Sequence, residues 1–241
     1  MELINAVWEK RNLGVDCIEV SCSLHDKPDK LSDALVAIDV PYSVVKIPAG
    51  SADLLYTAQM CGYRVAETGI ELWGDMRRVK TPKMYERFLP YIRMEQAEGS
   101  ILDKALYDIR SGQIFTTDRV ATDPYFSVEM AGRRYYYWCQ DMLKQGAYMG
   151  ILYYKNQPIA FNLSHQRENG ISDGLLGGVF PEAFNKGLGF LIVHGENEIC
   201  KIHGGKICIG RVSSNNLPIL RLHMQYRYEI RRISYVLVKH Q

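Results

Sequence analysis

The stretch GLLGGVFPEAFNKGLGF, residues 174–190, decides the fold. It leaves an apolar strand-like run, Ile171 to Val179, and enters the most strongly patterned helix of the chain. There Leu188, Leu191, Ile192, Ile199 and Ile202 share a stripe with Gly195, and Gly204-Gly205 ends it. A strand-to-helix junction of this kind gathers unpaired backbone N–H groups at the positive end of the helix dipole, which suits an anion. Gly187 and Gly189 have no Cβ, so the backbone there can approach a phosphate closely; the same glycines would also serve a tight turn. Two nucleotide motifs are excluded. Ile192 stands where a dinucleotide fingerprint needs its third glycine, and Leu188 follows Gly187 where a Walker loop needs lysine.

On either side of this stretch the chain alternates strand and helix signals. Upstream these are strands at 17–20 and 42–47, helices at 29–38 and 53–60, and a longer strand at 63–72. A charged segment around Lys80-Thr81-Pro82-Lys83 is the best linker candidate. A second unit then reads as a short strand at 91–94, helices at 102–109 and 132–143, and strands at 147–154 and 158–164 flanking the turn Lys155-Asn156-Gln157. After the decisive helix come a strand at 206–212, a helix from about 216 to 226 and a terminal strand at 228–238. Sliding Tyr63 onto Tyr228 (228 − 63 = 165) also superposes Ile47 on Val212, Leu55 on Leu220, Val65 on Ile230 and Leu72 on Leu237. The repeat fits duplication of a half-domain, or chance likeness between two βαβ pieces.

Composition narrows the class. With 241 residues, 47% hydrophobic and 23% charged, the chain has ample material for a core and none of the bias of disorder or coiled coil. The 29 Lys and Arg nearly cancel the 27 Asp and Glu, so no basic face invites nucleic acid. No apolar run approaches a bilayer span, and Met1-Glu2-Leu3-Ile4-Asn5 carries no export signal. The six cysteines lie mostly in apolar runs and are expected as reduced thiols of a cytoplasmic protein. Cys200, His203 and Cys208 are spaced too irregularly for a metal site, so no metal is expected.

The segment Phe184-Asn185-Lys186-Gly187-Leu188-Gly189 resembles motif A of the GNAT superfamily of acyl-CoA-dependent N-acyltransferases, Gln/Arg-x-x-Gly-x-Gly/Ala, with Phe184 replacing the usual Gln or Arg. The order of elements from Tyr91 onward is similar to a GNAT domain as well, and the likeness covers roughly residues 88–241. Asn216 matches the helix-opening Asn of the family's second signature, and it is also a sound N-cap. His223 falls on the signature's Tyr, and Arg227-Tyr228 on its Gly-Phe. A narrower likeness is to the dTDP-fucosamine acetyltransferases. It rests on residues 117–123 followed by 132–138, and on a Trp-containing opening segment, residues 7–14, ahead of an added half-domain.

The resemblance implies an α/β (α+β) protein with a mixed, largely antiparallel central sheet flanked by helices. A smaller N-terminal α/β domain resembling half a GNAT fold would occupy residues 1–80, a linker 81–88 and the acetyltransferase domain 89–241. It implies acetyl-CoA as co-substrate, bound by Gly177, Gly178, Val179, Phe184, Asn185, Lys186, Gly187, Leu188, Gly189, Phe190 and Asn216, and a primary amine of a small molecule as acceptor. The amine would attack the thioester directly. Asp173 or Glu182 would relay its proton through water, a backbone N–H near Val179 would meet the oxyanion, and His223 would protonate the departing sulfur, with Tyr226 as the alternative acid. Asp118, Arg119, Asp123, Tyr125, Arg133 and Tyr135 would suit a nucleotide-linked amino sugar, Arg pairing with phosphate and Tyr stacking on a ring. Alternatives are a silent CoA-binding module and an acyltransferase acting on a peptide or polyamine. Oligomeric state stays open, a homodimer among the options.

Overall fold

The computed structural model describes Met1–Gln241 and holds ten strands in one sheet. Its strands are β1 (Glu2–Asn5), β2 (Cys17–Ser21), β3 (Tyr42–Pro48), β4 (Arg64–Asp75), β5 (Ile92–Gln96), β6 (Tyr148–Tyr154), β7 (Gln157–Arg167), β8 (Ile171–Val179), β9 (Ile207–Ser213) and β10 (Glu229–His240). The helices are α1 (Trp8–Leu13), α2 (Pro28–Val36), α3 (Ala52–Met60), α4 (Lys83–Glu86), α5 (Gly99–Arg110), α6 (Val128–Lys144), α7 (Leu191–Ile202) and α8 (Leu217–Gln225). The spatial order is β1-β2-β3-β10-β4-β9-β8-β7-β6-β5. Only β2–β3 and β8–β9 are parallel pairs, so the sheet is mixed and largely antiparallel.

Most sequence-predicted elements stand within a few residues of their expected bounds. β1 and α1 had no periodic signal, being too short to show one. α1 is held instead by tertiary contacts, with Arg133 Nε donating to the Asn12 carbonyl at 2.7 Å and Arg134 Nε donating to Glu9 Oε1 at 2.8 Å. Two members of the expected α7 stripe are corrected. Leu188 precedes the helix as a buried loop residue, and Ile202 at the last turn is 58% exposed.

The repeat extends to backbone register. Adding 165 to the bounds of β3, α3 and β4 gives the bounds of β9, α8 and β10. β4 pairs with β9 from Gly69↔Ser213 to Asp75↔Ile207, and β10 pairs with β3 from Ser234↔Pro48 to His240↔Tyr42, the same register after the shift. Each half thus lends its last strand to the other. The strands expected to close the domain at 1–80 and the domain at 89–241 cross over, and hydrogen bonds run without a break through the sheet between them.

The halves differ at one point. β2 and β3 stay paired over five residues, Cys17↔Tyr42 to Ser21↔Lys46. β8 and β9 pair only from Ile171↔Ile207 to Asp173↔Ile209 and then part. The next residue on each strand is a glycine, Gly174 and Gly210.

Candidate active site

The parting of β8 and β9 opens a cavity of about 860 Å³ that reaches both faces of the sheet. Ile192 and Glu196 of α7, with Ile219 and His223 of α8, line one end. Phe115, Asp118 and Arg119 of the loop before α6, with Tyr135 and Trp138 of α6, line the other. Strand residues of both halves floor it, among them Lys46, Glu67, Glu71, Arg211 and Arg232.

At the vertex, His223 Nε2 lies 3.1 Å from Glu196 Oε2, and its Nδ1 lies 2.9 Å from the Ile219 carbonyl oxygen. The side chains are only 3% and 6% exposed. The space they use is left by the glycines. A Cβ on Gly174 would stand 2.0 Å from Glu196 Oε1, and one on Gly210 would stand 2.9 Å from His223 Nε2. Burial opposes protonation of His223, yet the hydrogen bond and charge of Glu196, with the Ile219 carbonyl, outweigh it and raise the pKa above the ordinary histidine value. Glu196 escaped the sequence reading although a signal existed: an acid four residues after Ile192 and four before Cys200, inside an apolar stripe.

The other expected catalytic groups are placed elsewhere. Tyr226 caps α8 at 1% exposure within an apolar cluster that includes Ile70 and Leu72; its hydroxyl has no partner and does not border the cavity. Burial pushes its pKa up, which removes it further from acid chemistry near neutrality. Asp173 sits at the start of β8, ion-paired with Arg167 and with Arg211 Nη1 at 3.1 Å, and so is spent as a structural carboxylate. Glu182 is exposed and accepts from Lys104 Nζ at 2.8 Å. Its pKa is lowered, chiefly by that hydrogen bond.

The loop between β8 and α7 leaves backbone donors unpaired. The backbone N–H groups of Gly187, Leu188, Gly189 and Phe190 find no acceptor in the chain. Leu188 and Phe190 bury their side chains, Phe190 stacking on Tyr85 at 4.3 Å, which anchors the loop on either side of Gly189. Gly187 has φ +72° with no atom within 4 Å of a Cβ position, an open left-handed turn. Asn185 is also left-handed, at φ 62°, and Phe184, Asn185 and Lys186 are exposed. Gly177 and Gly178 serve packing: a Cβ would meet Ile192 at 2.5 Å in the first case and Ile114 at 2.6 Å in the second. The cavity touches β8 at Gly174–Gly177, short of Val179, so an oxyanion donor on this strand would lie there. Asn216 lines the cavity while its side chain caps α8, accepting from Ile219 N–H at 3.4 Å.

Of the six expected acceptor residues, Asp118, Arg119 and Tyr135 line the cavity and the other three do not. Asp123 accepts from His240 Nε2 at 2.8 Å, Tyr125 stacks on His240 at 4.1 Å, and Arg133 holds Asn12, so these three fasten β10 and α1 to α6 and its preceding loop. Arg119 is committed to Glu19 at 2.8 Å, which withdraws it from phosphate. Lys46 pairs with Glu19, Arg134 with Glu9 and Arg211 with Glu71. What remains unpartnered inside is one oxygen each of Glu67 and Asp118, the Nε of Arg119 and the amide oxygens of Asn12 and Asn162. Burial raises the Glu67 pKa, and the nearby Asp118 charge adds to it.

No group of three or more His, Cys, Asp or Glu side chains converges as a metal site, all six cysteines are free, and no helix is long and apolar enough to cross a membrane.

No protein-family sequence profile matches the chain, and no curated protein matches it in sequence. Solved structures do share its fold. The GCN5-related N-acetyltransferase from Sphaerobacter thermophilus is similar over 83% of this chain and 59% of its own, at 13% identity and TM-score 0.56. The GCN5-related N-acetyltransferase from Kribbella flavida is similar over 93% and 81%, at 12% identity and TM-score 0.59. The tandem GNAT protein from the clavulanic acid biosynthesis pathway is similar over 83% and 64%, at 11% identity and TM-score 0.52. The chain spans less than two thirds of the first and third of these. The fold is the GNAT fold.

Proposed function

We propose that this chain is an acyl-CoA-dependent N-acetyltransferase that transfers acetyl to a primary amine of a small molecule. The observation that carries the reading is the opened β8–β9 pair with a buried Glu196–His223 pair at its vertex, and a loop between β8 and α7 whose backbone donors lack partners. Acetyl-CoA would supply the activated acyl group, its pyrophosphate held by the N–H groups of Gly187–Phe190 and the positive end of α7. These residues fit it, since Gly187 leaves the turn open and the four donors lack partners. His223, which lines the cavity, would give a proton to the leaving sulfur.

The acceptor would enter from the opposite face, between the halves. There the unpartnered oxygens of Glu67 and Asp118 favour a small amine that is itself cationic over a sugar nucleotide, because the two arginines buried in the wall, Arg119 and Arg134, are already paired with carboxylates. The test is release of free thiol from acetyl-CoA with polyamines, amino acids, free amino sugars and dTDP-linked amino sugars at equal concentration. Preference for a small cation, weakened at least tenfold in kcat/KM by Glu67→Gln, supports the reading. Preference for the nucleotide-linked compounds would restore the sugar-nucleotide reading. Binding of CoA with no turnover on any amine would favour a silent module.

A further inference from the structure

The repeat supplies an internal control for the buried polar pair. At the 165-residue offset, Glu196 and His223 correspond to Leu31 of α2 and Ala58 of α3, both 0% exposed in the apolar core of the first half. Gly210 corresponds to Val45 of the same core. One architecture is therefore completed in one half by Leu, Ala and Val and in the other by a carboxylate, an imidazole and a glycine. A buried ion pair is often neutral or worse for stability than hydrophobic residues of similar volume, so the fold itself does not call for Glu196 and His223.

Their geometry also counts protons. The Ile219 carbonyl can only accept, so Nδ1 of His223 carries a hydrogen. A neutral ring would then point the Nε2 lone pair at the Glu196 carboxylate, and two acceptors cannot bond. One proton must lie between them. Glu196 has no other ion pair; its remaining titratable contact is the Cys208 thiol, 3.5 Å from Oε1. Against His223 stands Tyr228, edge-on at 4.8 Å, whose hydroxyl donates to Asn197 at 2.6 Å. Against the pull of burial, the hydrogen bond and charge of Glu196 favour that proton on Nε2 and raise the His223 pKa.

We propose that Glu196 and His223 act as a one-proton shuttle at the vertex of the parted strands, with Glu196 the positioning residue that keeps Nε2 protonated; this rests on the acyltransferase reading above. The amine attacks as the neutral base, its ammonium proton having gone to bulk water. The nitrogen–carbon bond forms as the carbonyl π pair moves to oxygen. When the carbonyl re-forms, the carbon–sulfur bond breaks and its electron pair leaves on sulfur. Nε2 gives its proton to that sulfur, yielding the thiol. The pair, now one proton short, takes the proton that attack left on nitrogen, yielding the neutral amide. The shuttle ends each turnover as it began, and the one proton released is the ammonium's.

The test uses the full chain labelled with ¹⁵N-histidine. Near neutral pH, native His223 should show both ring nitrogens protonated. In Glu196→Gln, whose amide N–H can donate to Nε2 in the same space, it should show only one. The same variant should lower kcat by at least ~10²-fold with KM for acetyl-CoA unchanged, and should move the alkaline limb of the kcat profile to lower pH. The double change Glu196→Leu, His223→Ala, which puts the first half's residues at these two positions, should fold with an equal or higher Tm and show no turnover. A single protonated nitrogen in the native chain, an unmoved pH profile in Glu196→Gln, or turnover by the double variant each overturns the shuttle. If the ring is doubly protonated but the native chain releases no thiol with any amine, the acyltransferase reading fails and the catalytic role falls with it.

Discussion

His223 and Tyr226 are three residues apart on one helix end, yet burial separates their chemistry. His223 faces the cavity with one nitrogen on a backbone carbonyl and the other on a carboxylate. Tyr226 points into an apolar cluster with an unsatisfied hydroxyl. His223→Phe should therefore lower turnover by roughly 10²–10⁴-fold, the span of a positioned proton donor, while calorimetry shows acetyl-CoA affinity little changed. Tyr226→Phe should keep near-native turnover and an equal or higher Tm, because it removes a buried polar atom that has no partner. Equal losses in both variants, tracking the loss of Tm, would reduce His223 to a packing residue. None of this is visible in the one-dimensional pattern: whether a histidine or tyrosine on an amphipathic helix meets a cavity depends on strands that do not adjoin it in sequence.

At the scale of the element, the loop before α7 was legible because its requirements are local. Glycine at 187 answers a left-handed backbone position, and Leu188 and Phe190 anchor the loop by burial on either side of Gly189. A valine at 187 would meet no neighbouring atom but would strain a φ of +72° and push a side chain toward the exposed N–H groups. Gly187→Val should thus abolish CoA binding by calorimetry with little change in the circular-dichroism spectrum. Lys186→Ala should weaken it less, since a surface charge only supplements backbone donors. Unaltered affinity in Gly187→Val would sink the phosphate assignment. Gly177 and Gly178 belong to the same stretch yet answer a different need, the close approach of Ile192 and Ile114, and sequence alone could not tell the two uses of glycine apart.

At the scale of the whole molecule, the exchange of β4 and β10 makes the halves interdependent. Without residues 1–80, β10 would lose both neighbours, β3 and β4, and β9 would be left as an edge. Residues 89–241 expressed alone should therefore be insoluble or lack cooperative unfolding, since long unpaired strands favour aggregation. A soluble, sharply melting fragment would show the exchange to be dispensable. The buried His223 adds a pH dependence whose sign follows from its raised pKa. Its contribution to stability is complete below the ordinary histidine value of 6.5 and is lost as pH rises through the folded pKa. The Tm of the native chain, measured against the Glu196→Leu, His223→Ala variant, should fall as pH is raised from about 6 to 9. A difference that stays flat or grows would contradict the raised pKa.

What the sequence by itself determined about this protein is what depends on near neighbours: the succession of strands and helices, the left-handed turn at Gly187, the Asn216 cap, and a repeat whose 165-residue offset holds to the register of individual strand pairs. Those features follow from side-chain periodicity and backbone freedom, which act over a few residues. Only the tertiary structure decided that the halves trade their last strands, that β8 and β9 part at Gly174 and Gly210, and that Glu196 meets His223 in the space those glycines leave. It also decided that Asp123, Tyr125 and Arg133 fasten the chain together while Glu67 and Asp118 keep oxygens free. A charged or aromatic residue looks the same in sequence whether it holds a neighbour or a ligand; what distinguishes them is which partners the fold brings within hydrogen-bonding distance.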